Sequence, residues 1–300
     1  MSEIRTVAFI GLGVMGGPMA GHLARAGFSV TGYNRTAARA AAWEAKLAEE
    51  GLSVATAATP AEAAAGKDIV LTCVGNDADL EHVLLGPDGA LPAMAAGALL
   101  VDHTTVSADL ARQIDAEASA CGIAAVDAPV SGGQAGAENG KLAVMCGGSA
   151  SAVERARPAM QAFSARIVHV GGAGAGQTTK MANQMCIAGT LAGLSEAVRL
   201  SQASGLDMTN VYEAISGGAA QSWQMDNRWA TMAKGEFDFG FAIDWMRKDL
   251  GYALDEARRL GLSSPVSALV DQFYAEVQAM GGARQDTSAL IRRLPEGKKE

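Results

Sequence analysis

The sequence predicts an α/β protein in two parts, a domain of alternating strands and helices over residues 1–165 and an all-α domain over residues 166–300. Two observations support this. In the first part, short β-rich runs alternate with alanine-rich stretches, which is typical of βαβ units and a parallel sheet covered on both faces. After "VGGAGAG" the strand signals stop and long helical patterns follow, so a long interdomain helix is expected to open the second part.

Each expected element is a run bounded by turn residues. The expected strands are TVAFI, FSVTGY, DIVLTCV, ALLVD, IAAVDAP, LAVMCG and RIVHV. The expected helices of the first part are 17–26, 36–50, 60–65, 78–85 and 107–120. In the second part they are about 177–204, 207–216, 221–233, 241–260 and 265–280.

The composition limits the classes of partner. A formal net charge of −8 argues against a general nucleic-acid or membrane surface. The four cysteines lie far apart, with no CxxC pair and no histidine at ligand spacing, so no metal site is expected. The N-terminal segment lacks the basic region and long apolar run of a secretion signal, and a cytoplasmic protein is therefore expected.

A glycine-rich loop stands between the first expected strand and the first expected helix. Gly11, Gly13 and Gly16 form the pattern GxGxxG. The first glycine allows a tight turn, the second lets a pyrophosphate approach the backbone, and the third lets the helix pack on the strand. The loop predicts a Rossmann dinucleotide-binding domain. The residues expected to hold the cofactor here are Gly11, Leu12, Gly13, Val14, Met15 and Gly16.

The end of the second expected strand carries the signal for cofactor choice. NAD-binding domains place an acid there, about 20 residues after the loop, to accept from the ribose 2′-hydroxyl. This chain has Asn34, Arg35 and Thr36 instead. The amide removes a repulsive charge, the guanidinium can pair with a 2′-phosphate, and the hydroxyl can donate a further bond. NADP(H) is therefore the expected cofactor, with NAD(H) as the alternative.

Four segments in order, "GLGVMGGPMAGHLARAGF", "DAPVSGGQAGAENGKLAVMCGG", "GAGAGQTTKMANQM" and "WMRKDLGYAL", resemble the β-hydroxyacid dehydrogenase family. That family includes 3-hydroxyisobutyrate dehydrogenases, tartronate semialdehyde reductases and glyoxylate/succinic semialdehyde reductases. The resemblance covers nearly the whole chain. It implies an NADP(H)-preferring oxidoreductase that interconverts a small 3-hydroxy acid and its semialdehyde by hydride transfer.

The resemblance also implies catalytic residues. Lys180 is the expected general acid/base at the alcohol oxygen, and Asn183, one helical turn further on, is expected to orient the substrate. Many relatives have a second asparagine where this chain has Gln184, so which of the two amides orients the substrate stays open. Lys248, in "RKDL", is expected to approach both cofactor and substrate.

Two further sets of residues complete the expected site. The turn Ser131-Gly132-Gly133 offers a hydroxyl and backbone N–H groups that suit a substrate carboxylate, which is how the family uses this segment. On the cofactor side, Val74 and Asn76 follow one expected strand and Thr104 follows the next. Both loops leave the carboxyl edge of the sheet, where ligands of such domains bind.

The residues leave several alternatives open. An imine reductase-like enzyme and a non-catalytic cofactor-binding module share this fold, although the lysine at 180 favours carbonyl chemistry. The sequence does not choose among 3-hydroxyisobutyrate, glycerate or tartronate semialdehyde, 4-hydroxybutyrate and glyoxylate, nor does it give the physiological direction. The expected partners are a small carboxylate-bearing substrate and further copies of the chain, in a homodimer or homotetramer, with no nucleic acid and no membrane.

Overall fold

The computed structural model describes residues 5–296 and divides the chain into two compact units, Met1–Lys180 and Met181–Glu300. The boundary expected at residue 165 falls inside a strand of the first unit, Ser164–Gly171. Residues 1–4 and 297–300, at the ends of the two expected domains, lie outside the described residues.

One mixed sheet forms the centre of the first unit. Its strands within residues 5–296 are β1 (Thr6–Ile10), β2 (Ser29–Tyr33), β3 (Ala55–Thr56), β4 (Ile69–Thr72), β5 (Leu99–Asp102), β6 (Ala124–Asp127), β7 (Val130–Ser131), β8 (Leu142–Gly148) and β9 (Ser164–Gly171). They are ordered β3-β2-β1-β4-β5-β6-β8-β7, and β9 pairs with β8. The order reverses between β1 and β4, which creates the crevice where dinucleotides bind in doubly wound sheets.

The predicted parallel arrangement is confirmed for β1 to β6 and is wrong for β8. This strand runs antiparallel to both β6 and β7. Between β6 and β8 the chain forms only the two-residue β7 and a six-residue helix, so no long crossover helix returns it to the starting edge of the sheet. The register at the paired end joins Asp127 to Gly147.

Helices cover both faces of the sheet. They are α1 (Gly16–Arg25), α2 (Ala37–Glu49), α3 (Pro60–Ala64), α4 (Asp77–Leu85), α5 (Ala108–Ala120), α6 (Gly133–Glu138) and α7 (Ala150–Met160). Alternate residues of β1 enter separate apolar clusters: Val7 and Phe9 join one, Ala8 and Ile10 the other. A strand buried on both faces in this way reads as the continuous apolar run seen in the sequence.

A single long helix, α8 (Ala175–Ala203), begins in the first unit and continues into the second. The second unit also contains α9 (Met208–Ile215), α10 (Trp223–Lys234), α11 (Ile243–Arg259) and α12 (Pro265–Val277), followed by a π-helical turn (Gln278–Gly282) and a 3₁₀ helix (Thr287–Arg293). Its core is an apolar cluster that includes Trp229, Met246, Leu250 and Tyr274. The all-helical prediction is confirmed, and among the described residues no helix is long and apolar enough to cross a bilayer.

Candidate active site

The glycine loop has the geometry that the sequence predicted. Gly11 has φ +102°, and a Cβ atom there would clash with the Cys73 carbonyl oxygen, so the turn and the close approach of β4 both require glycine. A Cβ at Gly16 would clash with the carbonyl oxygen of Gly11 and with the Phe9 ring. Both residues therefore serve the packing of α1 against the strands.

Gly13 differs from these two glycines because neither its backbone conformation nor a contact within the protein requires glycine at this position. Its φ is not positive, and a Cβ built there meets no protein atom within 4 Å. The N-terminus of α1 lies close by, where Met15 provides no side-chain cap and the first turn carries no acid. Open space and helix N–H groups at this position fit a pyrophosphate that comes close to the backbone.

Asn34 ties the glycine loop to the end of β2. Its Oδ1 accepts a hydrogen bond from Leu12 N–H at 3.1 Å, and its Nδ2 donates to the Thr36 carbonyl at 3.1 Å. An aspartate could make the first of these bonds but not the second, because a carboxylate has no donor. The amide is therefore a positioning group for the loop as well as an uncharged neighbour for a ribose.

Arg35 and Thr36 lie on the exposed side of the same turn. The Arg35 side chain is 76% exposed, and its Nη1 lies 2.7 Å from Oδ1 of Asp79, in the first turn of α4. Thr36 is the N-cap residue of α2, and its hydroxyl makes no capping bond. Both side chains can reach an anion at the surface, but Asp79 is a neighbour of Arg35 that the sequence did not indicate.

The loops after β4 and β5 are held together by buried hydrogen bonds. Thr104 is 1% exposed, and its hydroxyl oxygen accepts from Val74 N–H at 3.1 Å. Asp102 accepts from the Thr72 hydroxyl at 2.6 Å and from Thr104 N–H at 3.0 Å. Asn76 caps α4 by accepting from Asp79 N–H at 2.9 Å. The side chains of Thr104 and Asn76 thus shape the loops, which favours an indirect contribution of both to cofactor binding.

Two buried titratable groups, Asp102 and His103, lie at the end of β5. Burial raises the pKa of Asp102 to about 7. Burial also lowers the pKa of His103 to about 4, and its Nδ1–H donates to the Ala128 carbonyl at 2.7 Å. This histidine is 2% exposed and packs edge-on against Phe163. A neutral, enclosed imidazole of this kind joins β5 to the Ala128 segment and is poorly suited to proton exchange with a ligand.

The expected carboxylate turn follows β7. Gly132 and Gly133 have φ of +131° and +62°, conformations that favour glycine. Ser131 ends β7 and is half-buried. The sharp reversal turns the backbone at the end of an edge strand, which is consistent with the nest of N–H groups expected here.

The start of α8 is fixed to the sheet by two side chains that sequence analysis missed. Asp127 accepts from Gly174 N–H at 2.8 Å and from Gln177 N–H at 2.9 Å, although burial raises the pKa of its carboxyl to about 6. Gln177 is fully buried, and its amide donates to the Thr104 carbonyl at 2.7 Å and accepts from Val106 N–H at 3.1 Å. The helix is therefore joined to the ends of both β5 and β6.

Lys180 lies one turn after Gln177 on this anchored segment. It is 8% exposed, an unusual degree of burial for a lysine. Helical spacing puts Asn183 and Gln184 on the same face of α8.

In the second unit a chain of polar contacts links three of the expected site residues. Asn183 Nδ2 donates to Gln184 Oε1 at 2.8 Å, and Gln184 Nε2 donates to Asp249 Oδ2 at 2.7 Å. Lys248 Nζ lies 3.3 Å from Asp249 Oδ1 and also faces the ring of Tyr252. Gln184 is 2% exposed and its amide donates to Asp249, whereas Asn183 is half-buried, so Asn183 is the more accessible of the two amides.

Comparison with known proteins places the chain. Residues 6–171 match a family described as the NAD binding domain of 6-phosphogluconate dehydrogenase, and residues 174–294 match the NAD-binding domain of NADP-dependent 3-hydroxyisobutyrate dehydrogenase. A probable 3-hydroxyisobutyrate dehydrogenase-like protein of Arabidopsis thaliana is 41% identical over 96% of this chain and 84% of its own. The chain belongs to the β-hydroxyacid dehydrogenase family. It is an NAD(P)-dependent oxidoreductase of the hydroxyacid dehydrogenase class.

Two further relatives agree with this membership. An oxidoreductase of Shewanella frigidimarina is 59% identical to this β-hydroxyacid dehydrogenase over 96% of its chain and 97% of the relative. The solved structure of Mycobacterium tuberculosis 3-hydroxyisobutyrate dehydrogenase with L-serine superimposes with a TM-score of 0.86 at 32% identity, covering 97% of this chain and 99% of that one. Within residues 5–296 of this β-hydroxyacid dehydrogenase, no three His, Cys, Asp or Glu side chains are grouped to hold a metal ion.

The structure brings several of the expected cofactor residues together within the first unit. In the first unit, the glycine loop, the β2 end and the β4 and β5 loops are joined by direct hydrogen bonds, such as Leu12 to Asn34 and Val74 to Thr104. Among the missed residues, Gln177 and Asp249 stand inside the quoted motifs "GAGAGQTTK" and "RKDL". Their position next to expected site residues was the available signal. Asp79 gave none, because its partner is distant in the sequence.

Proposed function

We propose that this enzyme interconverts a small 3-hydroxy acid and its semialdehyde, with NADP(H) preferred and Lys180 as general acid/base. The observation that carries the proposal is the burial of Lys180 on a helix start that Asp127 and Gln177 attach to the carboxyl edge of the sheet. That edge is where ligands of doubly wound domains bind. Lysine side chains are seldom buried to this degree, and a buried amine at the ligand-binding edge of the sheet supports a role in proton transfer.

The residues of the chain supply the proton and the orientation. A bound nicotinamide dinucleotide supplies or receives the hydride at the carbon that carries the oxygen. In reduction, Lys180 Nζ donates a proton to the oxygen as it becomes a hydroxyl, and in oxidation the neutral amine removes that proton. Asn183 orients the same oxygen from the next helical turn, and Gln184 and Asp249 hold the Asn183 amide in place.

The substrate carboxylate is assigned to the turn at Ser131. Its hydroxyl and the N–H groups of Gly132 and Gly133 offer several donors within one tight turn, as an anion requires. Lys248 is retained as a candidate substrate residue on the strength of its motif "RKDL" alone. A substrate with a carboxylate for the Ser131 turn and, a few bonds away, a carbonyl for Lys180 meets both requirements, which supports short 3-hydroxy acids and their semialdehydes. The relatives named 3-hydroxyisobutyrate dehydrogenases are consistent with this class.

The cofactor preference rests on the turn after β2. Arg35 supplies an exposed guanidinium, Thr36 a hydroxyl without a capping bond, and Asn34 no negative charge. These groups support NADP(H) over NAD(H). Around the loop, Gly11 to Gly16 are assigned to the pyrophosphate, with Val74, Asn76 and Thr104 supporting the remaining length of the cofactor.

A homodimer or homotetramer is the proposed assembly. Four exposed apolar side chains occur within ten residues of the second unit, Leu260 (52%), Leu262 (61%), Val266 (63%) and Leu269 (54%). Exposed apolar side chains grouped in this way support a surface that contacts another copy of the chain. Light scattering after size exclusion checks this assignment: Leu269→Glu is expected to shift the assembly toward monomer, and an unchanged mass would place the interface elsewhere.

The proposed reaction is tested by steady-state oxidation of NADPH, with NADH in parallel, against succinic, methylmalonic and tartronate semialdehydes and glyoxylate. One substrate turned over with NADPH preferred supports the proposal. A preference for NADH would contradict the assignment of Arg35 to the 2′-phosphate. No turnover on any of these compounds would show that the proposed substrate class is wrong.

Adding a cyclic imine and a cofactor-binding measurement to this assay separates the proposed function from its two alternatives. An imine reductase-like enzyme reduces a cyclic imine in place of the semialdehydes. A non-catalytic module binds NADPH, measured by cofactor fluorescence, and turns over neither compound. Lys180 argues against both alternatives, since neither needs an acid/base at the carbonyl oxygen.

A further inference from the structure

A carboxylate stands next to the guanidinium that is assigned to the 2′-phosphate. Asp79 Oδ1 lies 2.7 Å from Arg35 Nη1, although the two residues are 44 positions apart in the chain. The end of β2 carries Asn34 where NAD-binding domains carry an acid. The structure thus returns a negative charge to this turn from a different element, the first turn of α4.

Asp79 is the fixed member of the pair. It occupies the first turn of α4, where its N–H donates to the capping side chain of Asn76 at 2.9 Å, and an acid is favoured there by the helix dipole. Its side chain is 27% exposed, whereas that of Arg35 is 76% exposed. Arg35 has a long stem that can adjust, so the carboxylate determines where the guanidinium rests.

An anion that binds Arg35 must share the guanidinium with Asp79 or displace it. The guanidinium has five N–H donors, and a bidentate contact uses two of them on one edge. Asp79 already accepts from Nη1, which restricts the edges that remain. Its charge also repels a phosphate, which carries close to two negative charges, but has little effect on a ribose hydroxyl. Asp79 therefore opposes the binding of NADP(H) more than the binding of NAD(H).

We propose that Asp79 is a specificity-determining residue that limits the preference of this enzyme for NADP(H) over NAD(H), by occupying Arg35 and repelling the 2′-phosphate. The inference rests on the proposed assignment of Arg35 to that phosphate. Between charges a few bond lengths apart in a water-like dielectric, screened by physiological salt, such a repulsion corresponds to roughly three- to tenfold in affinity.

Equilibrium titration calorimetry with two cofactor fragments tests this inference without turnover. Adenosine 2′,5′-bisphosphate and adenosine 5′-monophosphate differ only in the 2′-phosphate. Asp79→Asn keeps the size of the side chain and removes its charge. The variant is expected to bind the bisphosphate roughly three- to tenfold more tightly than wild type, to bind the monophosphate as before, and to gain less at high salt.

Two comparisons make the result specific. In an Arg35→Ala background, Asp79→Asn is expected to keep the part of the gain that comes from direct repulsion of the phosphate and to lose the part that comes from competition for the guanidinium. Asp109→Asn is the matched control, because Asp109 is also a first-turn acid, in α5, where it pairs with Arg112. This control is expected to bind both fragments like wild type.

The outcomes distinguish the inference from the proposal beneath it. Arg35→Ala tests the 2′-phosphate assignment alone and is expected to weaken only the bisphosphate. If that weakening occurs while Asp79→Asn leaves bisphosphate affinity unchanged or lowers it, the inference is overturned and the Arg35 assignment stands. If Arg35→Ala leaves bisphosphate affinity unchanged, the Arg35 assignment fails and the inference fails with it.

Discussion

Replacing Asp127 with alanine is expected to destabilise the first unit and to impair catalysis through the start of α8. The carboxylate is 6% exposed and accepts two backbone hydrogen bonds, from Gly174 at 2.8 Å and Gln177 at 2.9 Å. Alanine leaves both N–H groups buried without these acceptors. Because Lys180 lies three residues after Gln177, a shift of this segment moves the proposed acid/base.

The magnitude follows from the two lost acceptors. Each buried donor left unsatisfied costs about 1–3 kcal/mol, so the pair costs about 2–6 kcal/mol. Burial already raises the pKa of Asp127 to about 6, which shows that the ionised carboxylate carries a desolvation cost, and its removal offsets part of the loss. We therefore expect a loss near the lower end of this range. For a unit of this size, each kcal/mol lowers the melting temperature by roughly 2–4 °C.

A thermal melt followed by circular dichroism measures the first effect, and kcat on the best semialdehyde, taken well below the melt, measures the second. Asp127→Asn retains one acceptor and is expected to lose about half as much stability. Asp109→Ala is the control, since its exposed ion pair with Arg112 contributes at most about 1 kcal/mol. A melting temperature within about 2 °C of wild type for Asp127→Ala would refute the claim that Asp127 fixes the start of α8.

Three further predictions address other parts of the site. Gly13→Ala is expected to weaken NADPH binding at least tenfold in a fluorescence titration, because the added methyl group occupies the space assigned to the pyrophosphate. Its melting temperature should not fall, since a Cβ at this position meets no protein atom within 4 Å. Gly193→Ala, where a Cβ is equally unobstructed, is the control and should leave NADPH binding unchanged. The raised pKa of Asp102, about 7, means that the folded state holds this proton more tightly than the unfolded state, so its contribution to stability is complete below about pH 4 and is lost as pH rises through 7. In denaturant melts, the unfolding free energy of wild type should therefore fall between pH 5 and 7 by on the order of 2 kcal/mol more than that of Asp102→Asn. If the two proteins lose stability in parallel over this range, the raised pKa of Asp102 is contradicted. Asp249→Asn removes the charge that holds Lys248 at 3.3 Å, so the substrate KM should rise roughly tenfold while NADPH affinity changes little, and an unchanged KM would exclude this role.

The parts of the fold that depend on local chemistry could be predicted from the sequence. The strand–turn–helix at the GxGxxG loop is confirmed, and the steric need for glycine at Gly11 and Gly16 arises from neighbouring segments with fixed geometry. The long helical runs of the second unit are likewise confirmed, with ends that differ from the expected ones by a few residues. The strands β3 and β7 were missed because two residues are too few to show a period.

The contacts that refine the site could not be predicted, because they join residues distant in the chain. Asp127 and Gly174 are 47 positions apart, and nothing in either segment indicates the other. The same holds for Arg35 and Asp79. The role of Asn34 as a link to Leu12 likewise depends on a fold that brings the two segments together.

The central claim, that Lys180 is the acid/base in hydride exchange with a small 3-hydroxy acid, is tested most directly by Lys180→Ala. Single-turnover oxidation of bound NADPH by the best semialdehyde is compared with wild type and with Lys234→Ala, which alters an exposed lysine of α10. We predict a rate lower by about 10²–10⁴-fold, with NADPH affinity retained and partial rescue by a small primary amine. A Lys180→Ala rate close to that of wild type, in protein that binds NADPH normally, would contradict the account.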